Sequence, residues 1–236
     1  MLIEDFVFKT KELLVPKGFY PNVNTMCCIG LCRDEITCQF KNIIESMYGA
    51  GFSCGSLAGL LFCGRTGFLA AHHHVPADSA CLIYYCFTHI AISEKGEIGV
   101  VLRSKTGMKQ KSTACGALMA FTNTLSEGIQ LPIEIDENDV EMSCLKKHVL
   151  ETVPTLSTNS TLLDVTHAAY LTITRDLEYH VLQDSKCYQK RKYALFTGIQ
   201  IHGPNGHDSV WLGKSSIVQN GTLVDLPFHE TNKYQT

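Results

Sequence analysis

The chain has 236 residues, of which 45% are hydrophobic and 18% are charged, and this balance excludes a disordered chain. A formal net charge of −3 gives no electrostatic reason to expect nucleic acid as a partner. The longest purely apolar stretches fall far short of the ~20 residues that a membrane-spanning helix needs. We therefore expect one globular domain over residues 1–236, with no nucleic-acid partner and no membrane insertion.

The N-terminal third predicts an amphipathic helix, then a buried strand, then a second helix. Apolar residues recur at helical spacing over 2–14. Residues 26–31 form a continuous apolar run of strand length, and polar residues from Cys32 onwards lead into a helix over 36–47. Ligands of open α/β sheets bind beyond the carboxyl ends of strands, so Cys32 and Asp34 lie at a candidate site.

The rest of the chain predicts further strands and helices. A second apolar run over 81–87 predicts a strand that ends near His89, and residues 97–103 are predicted to pair with it as a hairpin. A helix is predicted to begin around Cys115. The second half predicts helices at about 137–150 and 161–183, and strands near 194–202 and 209–218. The predicted fold class is a single α/β domain with a central sheet flanked by helices.

Eleven cysteines are the unusual feature of the composition. A chain of this length buries roughly 70% of its unfolded surface, so its core needs no disulfides. The number is odd, and the spacing of the cysteines suggests no disulfide framework. We therefore expect mostly reduced thiols in an intracellular or organellar protein, with a subset free to bind metal.

Three metal-binding side chains stand at the ends of predicted elements. Cys32 follows the first buried strand, His89 ends the second, and Cys115 stands where a helix begins. Their separations of 57 and 26 residues match no zinc finger but suit a catalytic zinc site assembled from several elements. A helix N-terminus also stabilises the thiolate that a metal requires. The competing interpretation is that these cysteines pack as small hydrophobic residues in the core.

Seven short motifs are spread along nearly the whole chain. They are Gly30-Leu-Cys-Arg-Asp-Glu35, Gly51-Phe-Ser-Cys-Gly-Ser-Leu-Ala-Gly59, Arg65-Thr-Gly-Phe68, His72-His-His-Val-Pro76, Thr88-His-Ile-Ala-Ile92, Ala114-Cys-Gly-Ala-Leu118 and Gly198-Ile-Gln-Ile-His202. In this order they resemble one known family, the limiting-CO2-inducible (LCIB/LCIC-like) proteins of algae, which are related to the θ-type and β-type carbonic anhydrases. The resemblance implies a β-carbonic-anhydrase-like fold, a zinc ion and a homodimer. It also implies a role in inorganic-carbon concentration in the plastid, with a targeting segment outside this chain, or otherwise a cytoplasmic location.

By position, the resemblance implies that Cys32, His89 and Cys115 bind zinc and that Asp34 is the acidic partner of the metal. The implied reaction is the reversible hydration of CO2 to bicarbonate, with a hydroxide generated on zinc as the nucleophile. The alternative is a catalytically silent zinc-binding member that senses CO2 or bicarbonate or forms complexes. A thiol-redox protein is a third hypothesis, although the chain lacks a Cys-x-x-Cys motif.

The arginine that pairs with Asp34 must differ from that of the β-type pattern. Cys-x-Asp-x-Arg would place it at position 36, where this chain has Ile36. We expect Arg65 to take this role, because nearby glycines leave room for its head group to reach the site. Arg33 is the alternative partner, and a surface cation is the competing interpretation of Arg65.

Three consecutive histidines, His72, His73 and His74, cannot all face one metal ion. His73 or His74 could relay protons between the zinc site and the solvent. The competing interpretation is a polar loop packed against Pro76.

Overall fold

A computed structural model describes residues 1–75, 80–103, 111–129 and 131–228. The strands within these residues are β1 (Thr25–Gly30), β2 (Phe52–Ser53), β3 (Cys81–Ala91), β4 (Val100–Leu102), β5 (Lys111–Thr113), β6 (Lys192–His202), β7 (Ser209–Gln219) and β8 (Thr222–Asp225). Six of them form the main sheet in the order β2-β1-β3-β6-β7-β8. The first four strands of that order are parallel, and β7 and β8 continue the sheet antiparallel.

Helices cover both faces of this sheet. They are α1 (Ile3–Leu14), α2 (Cys38–Tyr48), α3 (Gly64–His73), α4 (Gly116–Glu127), α5 (Val140–Thr152) and α6 (Leu162–Cys187). A capping box begins α6, since the Asp164 carboxylate accepts the Thr161 backbone N–H at 2.8 Å and the Thr161 hydroxyl accepts the Asp164 N–H. Among the described residues, no helix is both long and apolar enough to cross a membrane.

The central strand β3 is buried along its whole length and divides the core into two parts. Its alternating side chains point to opposite faces of the sheet. Tyr85 and Phe87 pack with Phe6 of α1 and Phe40 of α2, whereas Tyr84 packs on the face covered by α3 to α6. Each large apolar side chain buried in this way contributes about 1.5–3 kcal/mol. The predicted α/β architecture is therefore confirmed.

The predicted hairpin between residues 97–103 and β3 forms only at its turn, where the Ser93 N–H donates to the Glu97 carbonyl at 3.0 Å and the Gly99 N–H donates to the Ala91 carbonyl at 2.7 Å. Within the sheet, β6 pairs with β3 over its whole length, and β1 pairs with Cys81–Cys86 on the other edge. β4 itself pairs with β5 as a separate antiparallel ribbon. A single β-bridge between Ile92, just after β3, and Ile98, just before β4, joins this ribbon to the end of β3. The apolar pattern of 97–103 indicated a strand correctly but could not identify the strand with which it pairs.

Candidate metal centre

The parallel register of β1 and β3 explains why Cys32 and His89 meet. Gly30, the last residue of β1, pairs with Cys86, and β3 then continues to Ala91. The connection that leaves β1 therefore runs beside the final residues of β3. This arrangement places Cys32 next to His89 at the carboxyl edge of the sheet.

Cys115 reaches the same edge because backbone hydrogen bonds fix the start of α4 against the end of β3. The Ala91 N–H donates to the Ala114 carbonyl at 3.1 Å, and the Ala114 N–H donates to the Gly99 carbonyl at 3.0 Å. Cys115 is the next residue and precedes the first turn of α4. All three predicted ligand side chains are buried, and their ligand atoms lie within 4.8 Å of one another.

These three side chains fit a tetrahedral zinc ion. The two sulfur atoms of Cys32 and Cys115 are 3.9 Å apart, and two thiolates bound to one tetrahedral Zn2+ at ~2.3 Å would be separated by ~3.8 Å. The Nε2 atom of His89 is buried and has no hydrogen-bond partner among the described residues. An unpaired buried nitrogen is unfavourable, and a metal ion would satisfy it. Two thiolates and one imidazole leave the fourth position open, as catalytic zinc requires.

The thiols of Cys32 and Cys115 are hydrogen-bonded to each other and shift each other's pKa in opposite directions. The hydrogen bond from Cys115 is the main reason that the pKa of Cys32 is lowered, and His89 lowers it further. The same bond, together with burial, raises the pKa of Cys115 far above the ordinary thiol value, although the N–H groups of Ala117 and Leu118 act in the opposite direction. A bound cation would favour the thiolate form of both sulfurs.

Asp34 stands two residues after Cys32 and forms a bidentate ion pair with Arg103. Nη1 and Nη2 of Arg103 donate to Oδ1 and Oδ2 of Asp34, each at 2.8 Å, and only 11% and 12% of the two side chains are exposed. Burial acts to raise the pKa of Asp34, but Arg103, the nearby His89 and the Ile36 N–H outweigh it and hold this pKa at about 2. The Asp34 carboxylate is therefore ionised at neutral pH.

The expectation that Arg65 pairs with Asp34 is wrong. Arg65 is exposed on the first turn of α3, and no ion pair joins it to Asp34 in the described part of the chain. Arg33, the alternative, pairs with Glu141 instead. Arg103 was missed because it lies 69 residues from Asp34 and just after β4, in a segment with no recognisable motif. Only the β4–β5 ribbon brings it to the site.

Further contacts hold Arg103 in place. Its Nε donates to the Ser112 hydroxyl at 3.1 Å, and Nη2 also donates to the Thr113 carbonyl at 3.0 Å. Nη1 additionally contacts the carboxylate of Glu35, which is half-exposed. Arg103 thus links the connection after β1 to strand β5, and its Nη1 atom contacts two carboxylates.

His73 and His74 are exposed at the C-terminal end of α3. The preceding His72 is buried against Tyr193, at the start of β6, and its Nε2 lies 3.1 Å from an Asp184 carboxylate oxygen near the end of α6. This end of α3 therefore lies towards the amino edge of the sheet. The structure does not bring His73 or His74 to the three-ligand cluster. Pro76, the proposed packing partner of that loop, lies outside the described residues.

A small cavity of about 140 Å³ opens beside Cys32 and Asp34. Ile29 provides an apolar part of its wall, and Thr37 and Lys41 provide polar parts. The cavity admits a molecule of only a few heavy atoms next to the candidate metal site.

Comparison with known proteins shows that this chain is similar to one family of proteins. A family described as limiting CO2-inducible proteins B/C beta carbonic anhydrases matches residues 1–219. The crystal structure of the limiting CO2-inducible protein LCIB is 30% identical, with a TM-score of 0.74 over 96% of this chain and 94% of that chain. The crystal structure of PtLCIB4, a homolog of LCIB, is 24% identical, with a TM-score of 0.82 over 96% and 94% of the two chains. No curated protein matches the sequence.

Proposed function

Because the chain belongs to the family of limiting CO2-inducible proteins B/C beta carbonic anhydrases, we propose that it catalyses the reversible hydration of CO2 to bicarbonate. Cys32, His89 and Cys115 would hold the Zn2+ ion that this reaction needs. The observation that carries the proposal is the convergence of three buried ligand atoms within 4.8 Å at the carboxyl edge of the sheet. The homodimer and the plastid location that the family resemblance implies stay predictions.

The zinc ion would supply Lewis-acid activation of a water molecule at neutral pH. Asp34 would accept a hydrogen bond from the attacking water or hydroxide and orient it. Its Oδ2 atom receives a single hydrogen bond in the described structure, from Arg103, and a carboxylate oxygen can accept a second. Arg103 would keep this carboxylate ionised and in one orientation.

The cavity beside Cys32 supports a small substrate. CO2 and bicarbonate have three and four heavy atoms, and a cavity of about 140 Å³ accommodates either. The apolar side chain of Ile29 in its wall suits uncharged CO2.

Zinc analysis and stopped-flow CO2 hydration test the proposal. We expect about one Zn2+ per chain and measurable hydration, and we expect Cys32→Ser and Cys115→Ser each to lose both. Cys81→Ser is the matched control, because Cys81 is equally buried but lies at the opposite end of β3 from His89. It should keep both zinc and activity.

The outcomes separate the two candidate functions. A folded wild-type protein that takes up no zinc contradicts the proposal. Stoichiometric zinc with no hydration, in protein kept fully reduced, favours the catalytically silent member that senses CO2 or bicarbonate or forms complexes.

A further inference from the structure

Behind His89, away from the two thiols, lies a chain of buried polar side chains. His89 Nδ1 is 3.1 Å from His202 Nε2, and His202 Nδ1 is 2.7 Å from Asp208 Oδ2. The amide nitrogen of Gln200 donates to the same Asp208 oxygen at 3.2 Å. The exposed fractions of His89, His202 and Asp208 are 1%, 3% and 8%, so water competes little for these bonds.

Hydrogen-bond complementarity fixes where the protons lie along this chain. An ionised Asp208 only accepts, so His202 carries its proton on Nδ1. The Nε2 atom of a neutral His202 then accepts, which requires the proton of His89 to be on Nδ1. The remaining nitrogen of His89, Nε2, is left with a free lone pair. This is the buried atom that lacks a partner among the described residues.

We propose that His202 and Asp208 are positioning residues that hold His89 in the tautomer and ring orientation required to bind the metal. The inference rests on the proposed zinc site but does not depend on which reaction occurs there. Removing such an outer partner of a metal-bound histidine typically weakens metal affinity by about 10- to 100-fold. His202 is the last residue of Gly198-Ile-Gln-Ile-His202, one of the motifs that resemble the family. It is not among the three proposed zinc ligands, and the positioning role gives it a function beside them.

The fold holds Asp208 in place through the N-terminal segment. The Ile3 N–H donates to the Asp208 carbonyl at 3.4 Å, and Leu2 forms an antiparallel bridge with Ser209. The Val210 N–H donates to the Met1 carbonyl at 2.8 Å. Asp208 therefore sits between a fixed backbone and the imidazole that it orients, which is the rigidity that a positioning residue needs.

Metal affinity is the direct test, because it can be measured without turnover. Zn2+ affinity would be measured by competition with a chromophoric chelator, and the site geometry would be followed by the visible absorption of the Co2+-substituted protein. We expect His202→Leu to bind Zn2+ about 10- to 100-fold more weakly and to shift the Co2+ bands. The Zn2+ affinity of His202→Gln should stay within about threefold of wild type, because the amide oxygen of glutamine can accept the hydrogen bond from the Nδ1–H of His89.

A second substitution and a control keep the test decisive. Asp208→Asn preserves the shape of the side chain but removes its charge, and we expect a loss of about tenfold in Zn2+ affinity. This variant still tests the proposal if His202→Leu fails to fold. His72→Leu is the control, because His72 is also buried and also contacts an aspartate, at the other edge of the sheet. It should leave zinc affinity and the Co2+ spectrum unchanged.

The possible failures are distinguishable. Equal zinc affinity in wild type, His202→Leu and Asp208→Asn overturns the positioning role alone. Wild-type protein that binds neither Zn2+ nor Co2+ overturns the zinc site and this inference together.

Discussion

At the scale of single residues, Arg103 is the group whose placement most affects the chemistry of Asp34. Burial alone would favour the neutral acid, and Arg103 is the largest of the contributions that outweigh it. The bidentate geometry also fixes the plane of the carboxylate, which one ammonium group could not do. Arg103 therefore supplies both the charge state and the orientation of Asp34.

We expect Arg103→Ala to lower CO2 hydration by about 100-fold, because Asp34 loses its orientation and its pKa rises with burial no longer opposed by the guanidinium. Arg103→Lys should be intermediate, since lysine restores the charge without the bidentate bond. Stopped-flow assays across pH, with zinc content measured in parallel, check this expectation. Arg65→Ala is the control, and a larger loss in that variant than in Arg103→Ala would contradict the assignment.

The sequence locates the candidate ligands but not the groups that support them. Cys32 could be found because polar residues follow a buried strand abruptly, and Cys115 because it precedes a helix. Arg103 follows a three-residue strand, and Asp208 lies in a loop. Their roles depend on distances across the fold, to Asp34 and to His202, which no local pattern encodes.

At the scale of elements, the long strands and the helices other than α3 were predictable, whereas α3 and the pairing of short strands were not. Helical periodicity and the capping box indicate α1 and α6 directly, because the burial of one face dictates the sequence. β2 has two residues and β4 has three, so neither is long enough to show alternation. The partner of β4 is the equally short β5, so no alternation in either strand could identify the pairing.

The capping box of α6 gives a stability prediction at this scale. Thr161→Ala should lower the free energy of unfolding by about 1 kcal/mol, because the Asp164 N–H loses its acceptor and the Asp164 carboxylate loses the hydroxyl donor. Urea denaturation measures this change. Thr155→Ala, an exposed threonine in the preceding loop, should change stability by less than about 0.5 kcal/mol. Equal losses in both variants would mean that the box does not stabilise α6.

At the scale of the whole molecule, the core and the candidate metal site are separable. The aromatic residues that α1 and α2 contribute pack on one face of the sheet, and none of the three ligands belongs to that cluster. Cys32 and Cys115 belong to the other cluster, which α3 to α6 cover, but most of its members are aliphatic and aromatic side chains. The fold therefore buries most of its apolar surface through residues other than the three ligands.

Removing zinc should therefore lower the thermal stability without unfolding the chain. We expect chelator-treated protein to keep the far-UV circular dichroism of the native protein. Adding Zn2+ at 100 times its Kd should restore about 2.7 kcal/mol. Thermal denaturation with and without Zn2+ measures the difference, and Cys115→Ser should show no zinc-dependent shift. A metal-free protein with the spectrum of an unfolded chain would contradict the separation of core and site.

The position of His89 within β3 has a consequence for how a metal ion could leave. β3 is buried throughout and pairs with β6 over its whole length, with His89 opposite Gln200, so its backbone opens at a higher free-energy cost than a connection does. Cys32 and Cys115 instead lie in connections, just after β1 and just before α4, and such segments open locally at lower free-energy cost. Metal release would then begin at the thiolates while the imidazole stays in place. Closure of the two connections would restore the full set of three ligand side chains around His89.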